Sequence, residues 1–301
     1  MKKAIALGGG GAKGYAHLGV LKALKELDIH FDIVTGTSIG SFVGAVYAGG
    51  GIEKLEEISL KINIADLPRI LTPAFSKHGL LSGNYINQLL QKVITQEKIE
   101  ELPIKYAAVS VDINKGETVS FTKGNLGMAI RSSIAVPGLF TPVIDGDRFL
   151  VDGGVMEPVP VNSARKLGAD FVVAVDLISK FKTFSEEAGT KGILDDLPFK
   201  TEIDHLGNYI KKLGETLYLF EKDKKLFNDK TVVDIVQRIS VISQSRMIEN
   251  QIQLGNPEIV ITPDVTEIGV LDFHKSKEGI EAGYKATKEK LPEIKELLKI
   301  C

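Results

Sequence analysis

The sequence predicts an α/β fold whose mainly parallel sheet is covered by helices on both faces. Over the first 180 residues, short β-branched runs alternate with helical patterns, as strands joined by crossover helices do. The first run, Lys3 to Leu7, reads as a buried strand because it is apolar after its lysine. A change in composition after about Leu177, where lysines and acidic residues accumulate, separates a core of residues 4–177 from an elaboration of residues 178–301. A chain of 301 residues, 44% apolar and 25% charged, can bury one large core or a core with an appendage.

The elements follow in order. After the strand Lys3 to Leu7, Gly14 to Leu27 carries Leu18 and Leu21 at helical spacing. Phe31 to Val34 reads as a second strand and Ile39 to Ala48 as a second helix. Tyr106 to Val111 and Thr118 to Phe121 read as paired strands, with Asn114-Lys115-Gly116 as the turn. A helix around Asn162 to Leu167 precedes the strand Phe171 to Val175. In the elaboration, His205 to Phe220 and Val232 to Leu254 show helical periodicity. Pro257 to Ile261 reads as a late strand returning to the sheet, and Ser276 to Leu298 as a final charged helix.

Charge and cysteine usage exclude several function classes. The 37 basic and 39 acidic residues give a net charge of −2, so no global field draws nucleic acid or anionic membrane. The single cysteine, Cys301, forms no intramolecular disulfide and suits a reducing compartment. No metal-ligand cluster is evident, and neither metal nor cofactor is expected. The apolar run from Ala4 to Leu7 is too short for a signal-peptide core. No stretch approaches a membrane-spanning helix. A cytoplasmic location is the expectation, with at most peripheral membrane contact.

Three features carry chemistry. The segment Gly8-Gly9-Gly10-Gly11-Ala12-Lys13-Gly14 follows the first strand and opens the first helix. Its backbone can turn sharply and present N–H groups, and the helix N-terminus favours an anion, either a phosphate or a tetrahedral oxyanion. The G-x-G-x-x-G pattern from Gly9 to Gly14 also fits a dinucleotide site. That reading wants a carboxylate ending the second strand, where Val34-Thr35-Gly36-Thr37-Ser38 stands instead. The second feature is Gly36-Thr37-Ser38-Ile39-Gly40, a G-x-S-x-G string at a strand-to-helix junction. A strained turn there lifts a serine hydroxyl above the sheet; the plainer alternative is Ser38 as a helix N-cap. The third is Asp152-Gly153-Gly154 after Phe149-Leu150-Val151. Alone it is an ordinary turn. Placed against Ser38, Asp152 would take the hydroxyl proton, with the amides of Gly153 and Gly154 keeping the carboxylate ionised.

Only one strand precedes the elbow, unlike the standard α/β-hydrolase arrangement with its late histidine. Of the five histidines, only His205 and His274 lie beyond Asp152. A Ser38–Asp152–His274 triad stays open as the runner-up.

In order and spacing, the glycine turn, the elbow and Asp152-Gly153-Gly154 resemble the three signature motifs of patatin-like phospholipases. The likeness extends to Arg131-Ser132-Ser133-Ile134-Ala135-Val136-Pro137-Gly138-Leu139-Phe140, to Pro158-Val159-Pro160-Val161 and to Gly168-Ala169-Asp170. It spans about residues 4–177 and is greatest to small bacterial members. The resemblance implies a three-layer α/β/α fold and a Ser–Asp dyad without histidine. It makes Ser38 the nucleophile and Asp152 the proton acceptor. The glycine loop, Gly9, Gly10, Gly11, Lys13 and Gly14, becomes the oxyanion hole, with the amides around Gly10 and Gly11 at its centre. Gly36, Thr37, Ile39 and Gly40 form the elbow around the nucleophile. Glu157 stands where many members carry Asn, which implies an altered pocket rim.

The implied activity is hydrolysis of lipid acyl esters, as in a phospholipase A, lysophospholipase or lipid esterase. A non-catalytic lipid-binding or regulatory protein on the same fold is the alternative. Leu80, Leu81, Leu139 and Phe140 are candidates for an acyl pocket and equally for the core. Leu206, Tyr209, Ile210, Leu213, Leu217 and Phe220 repeat at helical spacing beside several lysines. Such a helix can lie on a lipid surface; a cap over the fold is the favoured reading.

Overall fold

The computed structural model describes residues 1–76, 79–180 and 232–299. Chain order runs β1 (Lys3–Leu7), α1 (Tyr15–Lys25), β2 (Ile33–Thr37), α2 (Ile39–Ala48), α3 (Ile52–Ser59), α4 (Leu67–Ile70), β3 (Pro73–Ser76), β4 (Gly79–Leu81) and α5 (Asn84–Val93). It continues through β5 (Lys105–Asp112), β6 (Glu117–Phe121), α6 (Leu126–Ser133), β7 (Gly138–Phe140), β8 (Val143–Asp145), β9 (Arg148–Asp152), α7 (Val161–Lys166) and β10 (Phe171–Val175). Then come α8 (Val232–Gly255), β11 (Ile259–Ile261) and α9 (Ser276–Leu298). The expected helix His205 to Phe220, with its lysines, lies outside the described residues, as do His78 and His205.

The central sheet has the order β11-β10-β1-β2-β5-β9-β8, with β6 also on β5. Its five strands from β11 to β5 are mutually parallel. Successive side chains leave a strand on opposite faces, and the burial follows that rule. Ile5, Leu7, Val34, Val173 and Val175 join one apolar cluster with residues of α1, α2, α5 and α6. Ala4, Ala6, Ile33, Val172 and Ala174 join a second cluster with Ala164 of α7 and Ile248 of α8. Helices therefore cover both faces, as expected for the three-layer α/β/α fold.

The placement of β9 determines where the chemistry sits. Residues Lys105 to Val109 of β5 pair with β2, while Ser110 to Asp112 pair with β9. The β6 ladder spans Ala108 to Asp112 and overlaps both, so it takes the opposite edge of β5. Strands β2 and β9 thus share one edge end to end, running in opposite directions. Their C-terminal ends meet there, with Thr37 opposite Val109 and Asp152 opposite Ser110.

The second strand begins at Ile33 and runs to Thr37, later than the Phe31 to Val34 expected. Asp32 explains the start. Its N–H donates to Lys3 O at 2.8 Å and its Oδ2 accepts the Lys3 N–H at 2.8 Å, so it closes onto β1 before the ladder begins. Helices α3 to α6 and the small sheet β3-β4-β7 are not among the elements expected from the sequence. Phe149-Leu150-Val151, read only as an apolar run, is the middle of β9.

The C-terminal segment is joined closely to the core. Strand β11 extends the sheet through β10, and α9 packs along α1. Nearly every α1 residue from Ala16 to Leu24 is buried, because α1 lies between the sheet and α9. At this crossing a Cβ on Gly283 would stand 1.9 Å from Ala16 O, and one on Gly19 1.9 Å from Ile280 O. Gly283→Val is expected to destabilise the fold by about 3 kcal/mol or more, since backbone rather than a flexible side chain must yield. A thermal melt checks it; an unchanged melting temperature would contradict the packing described.

Candidate active site

Strand β2 passes into α2 through one residue, Ser38, at φ 56° and ψ −129°. A non-glycine residue in that region is strained and persists only when its surroundings over-determine it. Several contacts do so. Ser38 N–H donates to Ser133 Oγ at 2.9 Å, and that hydroxyl donates to Val109 O at 2.6 Å. Ser41 Oγ donates to Ser38 O at 2.6 Å, and Tyr106 OH donates to Ser41 O at 2.7 Å. Thr37 Oγ1 donates to Glu157 O at 2.7 Å. The elbow glycines allow close backbone approach: a Cβ on Gly36 would stand 2.3 Å from Gly40 O, and one on Gly40 2.1 Å from Leu7 O.

Ser133 belongs to the Arg131 to Phe140 motif. It pins the turn to β5 and is a positioning residue. Ser133→Ala is expected to lower kcat roughly tenfold with KM little changed, by analogy with loss of one buried hydrogen bond. Ser133→Thr should restore most of the loss. A rise in KM alone would place its role elsewhere.

Asp152 ends β9 and is 5% exposed. Its Oδ1 accepts the Gly154 N–H at 2.7 Å. Its Oδ2 is buried with no hydrogen-bond partner within 3.5 Å, while the Ser38 hydroxyl stands close enough to act on the carboxyl. Burial pushes the carboxyl up to about 6, opposed first by the Ser38 hydroxyl and then by the Gly154 N–H. Of the two glycines expected to support it, Gly154 is the donor. Gly153 lets the turn lie against β5, where a Cβ would stand 2.3 Å from Val109 O.

The glycine loop divides its labour. Gly9 N–H donates to Pro158 O at 3.0 Å, and Lys13 N–H to Gly10 O at 3.3 Å. Gly10 (φ 153°) and Gly11 (φ 59°) carry no backbone hydrogen bond on their N–H groups among the described residues. Gly10 and Gly11 are the two on which the resemblance centres the loop. Gly9 clears the elbow, since its Cβ would lie 3.3 Å from Ser38 Cβ. Gly14 makes room for Ile39, whose side chain a Cβ would meet at 2.4 Å. Lys13 is half-buried and borders the cavity.

A cavity of about 180 Å³ brings these groups together. Gly9, Gly10, Gly11, Lys13, Ser38, Ile39, Asp152 and Gly154 line it, with apolar walls that include Ile134, Val136, Leu139 and Phe140. Ser240, Val241 and Gln244 of α8 close another side. The α8 wall was not foreseen, because helical periodicity does not say which face of the sheet a helix covers.

Other expectations change. Leu81 is fully buried in a cluster with Leu67, Ile70, Leu139 and Leu271 and is not itself among the cavity's lining residues, while the Leu80 side chain lies outside the described residues. Glu157 does not reach the rim. Its carboxylate accepts Ser163 N–H and Oγ–H, each at 2.8 Å, and burial raises its pKa. His274 is also absent from the cavity lining. His17 is buried, and its Nε2 bonds Gly8 O at 2.8 Å, behind the glycine loop. Burial lowers its pKa to about 4, so it is neutral near pH 7 and Nε2 donates.

No helix among the described residues is long and apolar enough to cross a membrane. A 175-residue stretch, 58% of this chain, is 39% identical to an uncharacterized NTE family protein of Mycobacterium tuberculosis and covers 48% of it. Lysophospholipase NTE1 of Pyricularia oryzae is 28% identical over 97% of this chain and 18% of its own. The chain thus spans half or less of these relatives. VipD from Legionella pneumophila aligns with 97% of this chain and 66% of its own, at 15% identity and a TM-score of 0.48. The sequence pattern of patatin-like phospholipases matches residues 5–165, which contain the glycine loop, the elbow and Asp152, and the chain belongs to that family.

Proposed function

We propose that this chain hydrolyses lipid acyl esters by two-step acyl transfer on Ser38. The observation that carries the reading is a hydroxyl on a strained turn sharing an apolar cavity with a buried carboxylate that has one oxygen unpartnered. Asp152 takes the Ser38 proton as Oγ attacks the ester carbonyl. The N–H groups of Gly10 and Gly11 hold the resulting oxyanion; each such donor is typically worth about 3–4 kcal/mol. The tetrahedral intermediate collapses, the ester C–O bond breaks and Asp152 returns the proton to the leaving alkoxide. Water then loses a proton to Asp152 and attacks the acyl-enzyme; the bond from Ser38 Oγ to the acyl carbon breaks, Asp152 returns the proton to Oγ, and the fatty acid leaves.

Family membership supports a lipid ester as substrate, and the name of the fungal relative supports a lysophospholipid among the candidates. The catalytic unit comprises residues 4–177. The elaboration of residues 178–301 supplies the outer cavity wall through Val241, Gln244, Leu271 and Phe273. Any contact with a membrane surface is transient in this reading.

The test incubates the purified chain with lysophosphatidylcholine, phosphatidylcholine, triacylglycerol and p-nitrophenyl esters, with products identified by mass spectrometry. Fatty acid release is expected from at least one lipid. Release from none, together with no p-nitrophenol, would leave only the non-catalytic alternative.

A further inference from the structure

Beside the active-site cavity lies a second one of about 40 Å³, lined by residues of α1, α2, α3 and α5. Its walls include Leu18, Phe42, Val43, Leu55 and Leu89, with Ser59 at the α3 side. The two cavities share four lining residues, Gly11, Ile39, Ile86 and Phe273. Ile39 directly follows Ser38 in sequence, so the partition begins beside the proposed nucleophile.

We propose that this inner cavity is an acyl-chain subsite, entered past Ile39, Ile86 and Phe273, that determines which chain lengths are hydrolysed best. The inference rests on the hydrolase reading above. Three observations carry it. The inner walls are almost wholly apolar, and water gains few hydrogen bonds there, whereas a methylene chain does not need them. The partition consists of side chains except at Gly11, and Ile39, Ile86 and Phe273 are each only half-buried. Phe273 is anchored by its backbone, with its carbonyl accepting Tyr15 OH at 3.0 Å, so its ring can turn while its Cα stays fixed.

Size sets the expectation. At about 10–15 Å³ per water-sized group, the inner cavity holds roughly three or four methylenes. Each methylene removed from water is worth roughly a fourfold factor in binding. Losing three such positions costs roughly sixtyfold.

The test measures kcat/KM for p-nitrophenyl esters from butyryl to palmitoyl, and the readout is the ratio of the decanoyl to the butyryl value. Val43→Phe and Ser59→Leu fill the cavity from α2 and α3, and Phe273→Ala opens the partition. The ratio is expected to fall tenfold to sixtyfold in both filled variants and to rise in Phe273→Ala. Thermal melts establish which variants fold, and any one folded variant decides. A ratio within twofold of the wild type in the folded variants would mean an unfilled packing defect and overturn the subsite. In that case butyryl turnover and fluorophosphonate labelling of Ser38 would leave the hydrolase reading standing. Wild-type protein that hydrolyses no ester would remove both.

Discussion

Ser38→Ala is expected to abolish fluorophosphonate labelling and to lower ester turnover by about five to six orders of magnitude, as loss of a nucleophilic serine does elsewhere. The residual rate would come from the glycine-loop donors and substrate binding alone. The same position supports a second outcome that a plain N-cap would not. At φ 56° and ψ −129°, a residue with a Cβ stores about 1–3 kcal/mol of strain. Glycine relieves it, less about 0.5–1 kcal/mol of added chain entropy in the unfolded state. Ser38→Gly should therefore be inactive yet more stable than the wild type by about 1–2 kcal/mol. A helix cap would lose stability on removal of its side chain. Turnover by Ser38→Ala within tenfold of the wild type would remove the nucleophile assignment.

Asp152→Asn separates catalysis from stability in the same way. The wild-type carboxyl is raised from 3.8 to about 6 by burial. A raised acid favours the folded state only while protonated. Its contribution is thus fully present below about pH 4 and lost as pH rises through about 6. Above that, the ionised wild type carries a destabilisation of about 3 kcal/mol, from roughly 1.4 kcal/mol per pKa unit. Asparagine is neutral at every pH and its Oδ1 can still accept the Gly154 N–H. The variant should melt higher than the wild type at pH 8 and nearly level with it at pH 3.5. Catalysis moves the opposite way. The proposed base must be ionised, so wild-type kcat/KM should fall about tenfold per pH unit below about 6, and Asp152→Asn should lose activity by several orders of magnitude at all pH values. Equal stability of the two proteins at pH 8, with an acid limb far from 6, would contradict the burial argument.

Ser133 and the β9 placement mark where sequence reasoning stopped. Gly36, Gly40 and Gly153 were visible because each answers to backbone packed so close that a Cβ cannot fit. The resemblance already centred the loop on Gly10 and Gly11, but the reason for their division from Gly9 was not legible. That division depends on Pro158 O, which reaches Gly9 from a remote turn. Ser133 lay in a motif without a role until its hydroxyl was found between Ser38 N and Val109 O. Glu157 invited a functional reading from sequence and turned out to hold α7 through Ser163.

By itself, the sequence determined the α/β class, the strand-to-helix elbow at Ser38 and the anion-facing glycine turn. These are local properties, set by apolar periodicity and by glycine where side chains cannot fit. The family resemblance named Asp152 as the partner of Ser38, but only the tertiary structure shows how both come to line one cavity. That meeting depends on β9 entering antiparallel along the edge of β5 that β2 leaves vacant beyond Val109. The register of one strand against another depends on contacts between distant segments, which no window of neighbouring residues encodes.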